Sequence, residues 1–197
     1  MCGINGIFHL QSQRKIDSRI LTKMRDALEH RGPDDKGIFV ENNIGLGHRR
    51  LSILDVSAAG HQPFLSDDER FVMVYNGEIY NFKEFYPELK SNGFDIKTGS
   101  DTEVLLKLFQ LHGSKMLHRL NGMFAFAIWD KLKKELTLVR DRMGVKPLYC
   151  SFYNDSFYFA SEQKALFTAG LPLKIAQDGL EEYIFNRFVA GDNTLYE

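Results

Sequence analysis

From residue 121 onward the chain is written as short apolar, aromatic-rich runs: MFAFAIWD, ELTLVR, PLYCSFY and SFYFAS. Two of the gaps between them, at 131–134 and 154–155, are only a few residues long. Runs of this length and composition read as strands, and gaps this short read as hairpin turns. Strands are also expected near the start, over residues 3–10, 37–41 and 44–54, with Asn42-Asn43 as the turn between the last two. Another, over 71–75, runs into Asn76-Gly77.

Helices fall between these groups of strands. Ile20, Leu21, Met24, Ala27 and Leu28 share one face of a helix expected over 17–30, stopped by Gly32 and Pro33. A second is expected over 81–92, with Pro87 sitting awkwardly inside it. A third, over 101–112, opens on Ser100 and Glu103 as a capping-box pattern and closes at Gly113. Shorter helices are expected over 162–168 and 177–188. Hairpin-linked strands at both ends with helices between them argue for antiparallel sheets in an α+β fold.

Composition removes several classes of function. Twenty-five basic residues balance 26 acidic ones, and nothing in the charge suggests a surface for nucleic acid or a polybasic membrane patch. No apolar run approaches the roughly 20 residues a membrane span needs, and no signal peptide opens the chain. Two cysteines, Cys2 and Cys150, make no disulfide framework and suit a reducing cytoplasm. Cys150 reads as a buried core thiol. The six histidines show no metal-ligand spacing.

Cys2 is the chemically pointed residue. Removal of Met1 would place a thiol and a free α-amine on one residue. The amine titrates at about 7.7–8.0 and the thiol at about 8.5, so the amine can serve as the thiol's base near neutral pH. By itself, a cysteine at position 2 is far more often just a small residue. Arg49 and Arg50 each offer a guanidinium fork for a carboxylate, and on one strand they point to opposite faces, so only one of them can face a pocket. Asn76-Gly77 reads locally as a turn.

Eight segments taken together carry a resemblance: MCGI, RGPDD at 31–35, GHRRLSILD at 47–55, YNGEIYNF at 75–82, GSDTEVLL at 99–106, LNGMFAFAIWD at 120–130, RDRMGVKPLY at 140–149 and FASEQKAL at 159–166. In this order they resemble the class II glutamine amidotransferases, and within them the N-terminal glutaminase domain of the glutamine-hydrolysing asparagine synthetase family. The resemblance implies a four-layer αββα sandwich, with two antiparallel sheets packed face to face. It implies Cys2 as nucleophile with its own α-amine as acid and base, and Asn76 and Gly77 as the oxyanion pair. Glutamine would be held by Arg50, by the backbone of Leu51, Ser52, Ile53 and Leu54, and by Glu78 and Asp101 at its α-ammonium.

The same resemblance implies that residues 1–185 form the glutaminase domain and that 186–197 begin a connection to a C-terminal synthetase domain. That domain would use ATP and Mg²⁺, and its S-G-G-x-D-S loop is absent here. No cofactor or metal is expected in the glutaminase half. The implied partners are glutamine, the synthetase domain of the same protein and, as a further option, a second copy in a homodimer. The ammonia acceptor is aspartate by default. A sugar or other carboxylate, another class II amidotransferase, and a non-catalytic glutamine-binding module remain alternatives.

Overall fold

The computed structural model describes residues 1–52, 60–191 and 193–196. Among the described residues nine strands make two wholly antiparallel sheets. They are β1 (Gly3–His9), β2 (Asp35–Glu41), β3 (Ile44–Arg50), β4 (Phe64–Leu65), β5 (Phe71–Ile79), β6 (Gly122–Asp130), β7 (Glu135–Arg140), β8 (Tyr149–Tyr153) and β9 (Ser156–Ala160). The first sheet runs β2-β3-β1-β9-β8 and the second β4-β5-β6-β7. The expected hairpins close at Asn42, at Lys134 and at Asn154-Asp155, where positive φ lets the chain turn back.

The helices are α1 (Ser18–Asp26), α2 (Tyr86–Ser91), α3 (Asp101–His112), α4 (Gln163–Thr168) and α5 (Gln177–Asn186). Alternation along each strand sorts side chains into three layers of core. Ile4, Ile44 and Leu46 of the first sheet meet Val72, Val74, Ala125, Ala127 and Trp129 of the second, filling the space between the sheets. The outer face of the first sheet, with Ile7, packs against Leu21, Met24 and Leu28 around α1 and against Ala165 and Leu166 of α4. The outer face of the second, with Met73, Phe124 and Phe126, packs against Leu89 of α2 and the apolar residues of α3. The result is the αββα sandwich that the resemblance implies.

Several elements differ from expectation for identifiable reasons. Asn76-Gly77 is no turn: β5 runs straight through both, paired with Ala125 and Phe124. The helix expected over 81–92 is split into a 3-10 turn, Phe82–Phe85, and α2, where Pro87 lies in the first turn and removes no helical bond. Asp17 caps α1, but the helix ends at Asp26 and a separate 3-10 turn covers Glu29–Arg31. Ser100 caps α3 through Thr102 N–H, yet Glu103 does not complete a capping box. Its carboxylate instead accepts from the backbone N–H groups of Lys97 and Thr98, tying down the segment before the helix. Cys150 is exposed on the edge strand β8, not buried. β3 ends at Arg50, and Ile53 and Leu54, which the sequence places in the same strand, lie outside the described residues.

Candidate active site

Cys2 precedes the first residue of β1, an inner strand of the first sheet. Its position is fixed from behind. Ile4 exchanges two hydrogen bonds with Ser161, giving its N–H to Ser161 Oγ at 3.0 Å and accepting Ser161 N–H at 2.8 Å. Arg31 donates from Nε to the Cys2 carbonyl at 2.9 Å, and the same guanidinium is held by Glu162 at 2.9 Å. The Cys2 thiol lies against Leu51, accepting the Leu51 N–H at 3.4 Å with the Leu51 carbonyl 3.7 Å away. Burial pushes the thiol above its ordinary range, opposed by the Leu51 N–H and by the positive charges of the N-terminus, Arg50 and Arg31. With Met1 attached, the Cys2 nitrogen is an amide, and Met1 itself lines the cleft in front of the thiol.

Around this thiol the cleft is built from Arg50, Leu51, Asn76, Gly77, Glu78 and Asp101. β3 delivers Arg50. Its even-numbered positions face the second sheet, so Arg50 enters the cleft while Arg49 turns to Asp26 and Glu29 on the helical side, as alternation requires. The strand's exit is buttressed by the RGPDD segment. Asp34 donates its N–H to the Arg50 carbonyl at 3.0 Å and accepts the Ser52 N–H at 2.8 Å. A Cβ on Gly32 would stand 2.5 Å from the Arg49 carbonyl carbon, so only glycine permits this approach. Ser52 follows Leu51 at the rim and is not among the residues facing the cleft; Ile53 and Leu54 lie outside the described residues.

Asn76 is buried at 1 % exposure, and its side-chain nitrogen has no hydrogen-bond partner among the described residues. A buried amide left without an acceptor is costly, and here it sits in the cleft that the Cys2 thiol faces. Gly77 follows it. A Cβ there would meet the Met123 carbonyl at 2.6 Å and Phe124 Cα at 2.8 Å, so backbone packing against β6 admits nothing larger than glycine.

Asp101 opens α3 beneath this strand. It accepts from Tyr75 Oη at 2.6 Å and from Ile79 N–H at 2.9 Å, both on the same carboxylate oxygen, Oδ2. Burial pushes its carboxyl up, against those hydrogen bonds. Glu78 stands on the same wall of the cleft, two residues beyond Asn76.

Other cleft residues carried no individual signal in the sequence. Gly60 leaves room for the Arg50 guanidinium: a Cβ there would stand 2.0 Å from Nη2. Gln62 and Tyr75 line the wall behind Asn76, and Lys146, only 6 % exposed, enters from the RDRMGVKPLY segment. Among the described residues Arg140 and Arg142 make no ion pair and donate to the backbone carbonyls of Lys146, Gly144 and Leu117. Asp141 instead accepts backbone N–H groups from Phe124, Met143, Val145 and Lys146, folding the loop that presents Lys146. Among the described residues no group of three His, Cys, Asp or Glu could hold a metal ion.

The sequence profile of the glutamine amidotransferase domain matches residues 1–197. The chain belongs to the glutamine amidotransferase domain family. This amidotransferase domain is 41 % identical over 197 residues to the protein named asparagine synthetase [glutamine-hydrolyzing] 1 of Bacillus subtilis, covering 99 % of this chain and 31 % of that one. It is 40 % identical over 167 residues to asparagine synthetase B [glutamine-hydrolyzing] of Escherichia coli, covering 84 % of this chain and 30 % of that one. The domain thus spans about a third of the length of such relatives. In fold it matches the glutamine phosphoribosylpyrophosphate amidotransferase of Bacillus subtilis with a TM-score of 0.72, at 24 % identity over 86 % of this chain and 44 % of that one. Among the described residues no helix is long and apolar enough to cross a membrane.

Proposed function

We propose that this amidotransferase domain hydrolyses glutamine to glutamate and ammonia through a Cys2 thioester. The observation that carries the reading is the unpartnered, buried Asn76 amide in the cleft that also holds the Cys2 thiol. An amide N–H without a ground-state acceptor is suited to an oxygen that becomes charged only during reaction. Removal of Met1 frees both the amine and the space Met1 occupies.

In this reading Arg50 takes the α-carboxylate of glutamine as a two-pronged partner, and Glu78 with Asp101 takes the α-ammonium. The Cys2 sulfur bonds to the amide carbon as the thiol proton passes to the Cys2 amine. The carbonyl electrons move onto oxygen, facing the Asn76 side-chain N–H and the Gly77 backbone. The carbon–nitrogen bond then breaks, the amine's proton leaves with ammonia, and water attacks the thioester to release glutamate and the thiol.

The relatives' names support an amidation downstream, with asparagine formed from aspartate as the reaction served. ATP and Mg²⁺ would act there, in a synthetase domain of the same protein, and play no part in the glutaminase step. Phe152 and Phe185, 71 % and 85 % exposed, offer apolar contacts for that domain; Tyr158, by contrast, is buried. A homodimer and a cytoplasmic setting complete the reading. The test is intact mass together with glutamate production, with Cys2→Ala alongside. Loss of Met1 and activity abolished in Cys2→Ala are expected; activity surviving in Cys2→Ala would overturn the proposal.

A further inference from the structure

Tyr75, the residue before Asn76, is held in an unusual way. The register of β4 on β5, Phe64 with Met73 and Leu65 with Val72, extrapolates to Gln62 opposite Tyr75. No backbone ladder continues to that point. The Tyr75 N–H goes instead to the Gln62 side-chain oxygen at 2.7 Å. The Tyr75 carbonyl lies 3.1 Å from His48 Nε2, which reaches across from the other sheet. The phenol is fixed separately by Asp101.

His48 is wholly buried, at 0 % exposure. A carbonyl oxygen only accepts, so Nε2 must carry the hydrogen. Its other nitrogen, Nδ1, has no hydrogen-bond partner among the described residues. A second proton there would leave a buried, unpaired charge, and burial accordingly holds the imidazole far below its ordinary range, at about 3. The side chain is therefore a neutral donor with one partner, the carbonyl that joins Tyr75 to Asn76.

We propose that His48 is a positioning residue for glutamine hydrolysis, fixing through the Tyr75 carbonyl the peptide that aims the Asn76 amide at the reacting oxygen. This rests on the reading of Asn76 as an oxyanion donor given above. A donor displaced by a fraction of an ångström stabilises the transition state far less while leaving the amino-acid clamp of Arg50, Glu78 and Asp101 in place. His48 therefore acts on kcat and not on glutamine binding.

The test compares His48→Leu, His48→Asn and His48→Gln in the protein with a free Cys2 amine. Steady-state glutaminase kinetics are read beside inhibition by L-glutamate γ-semialdehyde. This aldehyde accepts the Cys2 sulfur at its carbonyl carbon and the thiol proton at its oxygen, forming a hemithioacetal with no leaving group. Leu offers no donor and the shorter Asn amide stops short of the carbonyl, whereas the Gln amide reaches it. We expect kcat to fall about 10-fold or more in the Leu and Asn variants. Their KM should stay within about 2-fold, and aldehyde inhibition should weaken in step with kcat. The Gln variant should recover most of the loss. If His48→Leu does not fold, the Asn and Gln pair alone decides. Unchanged kcat in His48→Asn, or KM rising in step with the loss, overturns the proposal. Failure of the wild-type protein to hydrolyse glutamine or to be inhibited by the aldehyde would instead overturn the underlying functional reading.

Discussion

Arg31 Nε and the Cys2 carbonyl are 2.9 Å apart, and this contact is the one side-chain grip on the Cys2 backbone among the described residues. Arg31 does not stand alone: Glu162 accepts from it at 2.9 Å and also from His30 at 2.9 Å. Burial disfavours the Glu162 carboxylate, but the hydrogen bonds from Arg31, His30 and Lys164 outweigh it and hold the group down at about 2. Glu162→Gln keeps an acceptor but drops the charge. Glutaminase kcat/KM should fall roughly 3- to 10-fold as the grip on Cys2 loosens. The carboxylate's folded value lies below its ordinary one, so its stabilisation is present above about pH 4.5 and disappears as pH falls toward 2. Urea unfolding at pH 7 should show Glu162→Gln less stable than wild type, with the gap narrowed by more than half at pH 3. An equal gap at both pH values would refute the assignment.

Asn76→Ala removes the side-chain donor and leaves the strand pairing with Ala125 intact. Loss of one oxyanion donor typically costs about 100- to 1000-fold in kcat. That loss is expected here with a much smaller change in KM. A KM effect without a kcat effect would recast Asn76 as a ground-state contact to the amide.

Arg50→Lys and Gly60→Ala should fail in the same way by different routes. Lysine keeps the charge but not the fork, and a Cβ at position 60 would stand 2.0 Å from Arg50 Nη2 and push the guanidinium aside. Each should raise KM for glutamine, by roughly 10-fold or more for Arg50→Lys, while kcat at saturation changes less. Normal KM in Gly60→Ala would mean that the guanidinium finds an equivalent seat.

Much of this was readable in the chain. That Arg49 and Arg50 take opposite faces follows from strand geometry alone, once β3 is recognised; that Arg50 is the one in the cleft was implied by the resemblance. The hairpins were legible because their turns are short. Asn76-Gly77 was not, because its local chemistry favours a turn and only pairing with β6, some 48 residues away at Phe124 and Ala125, keeps it extended; its place in the cleft was implied by resemblance, not by the dipeptide. Glu103 shows the same limit. Its spacing from Ser100 is that of a capping box, but three donors from Lys97 and Thr98 outcompete the single N–H behind it. The supports of the site, Glu162 under Arg31, Asp34 under Ser52 and His48 under Tyr75, are contacts between residues far apart in sequence, and no local pattern marks them.

His48 also predicts how the fold answers to acid. Its imidazole titrates ordinarily near 6.5 and in the folded chain at about 3, because burial excludes the charged form. Between those values the unfolded chain binds a proton that the folded one refuses. Folding stability must then fall as pH drops through this window, by up to about 1.4 kcal/mol per pH unit from this one group. Above about pH 6.5 the group contributes no slope. His48→Gln has nothing to titrate, so its stability should fall less steeply between pH 6 and pH 4 than that of the wild type, even if it is less stable at pH 7. Chemical denaturation at half-unit steps across that range measures the difference directly. Parallel acid limbs for the two proteins would mean that water or a rearranged partner reaches Nδ1 and lets the folded imidazole take its proton.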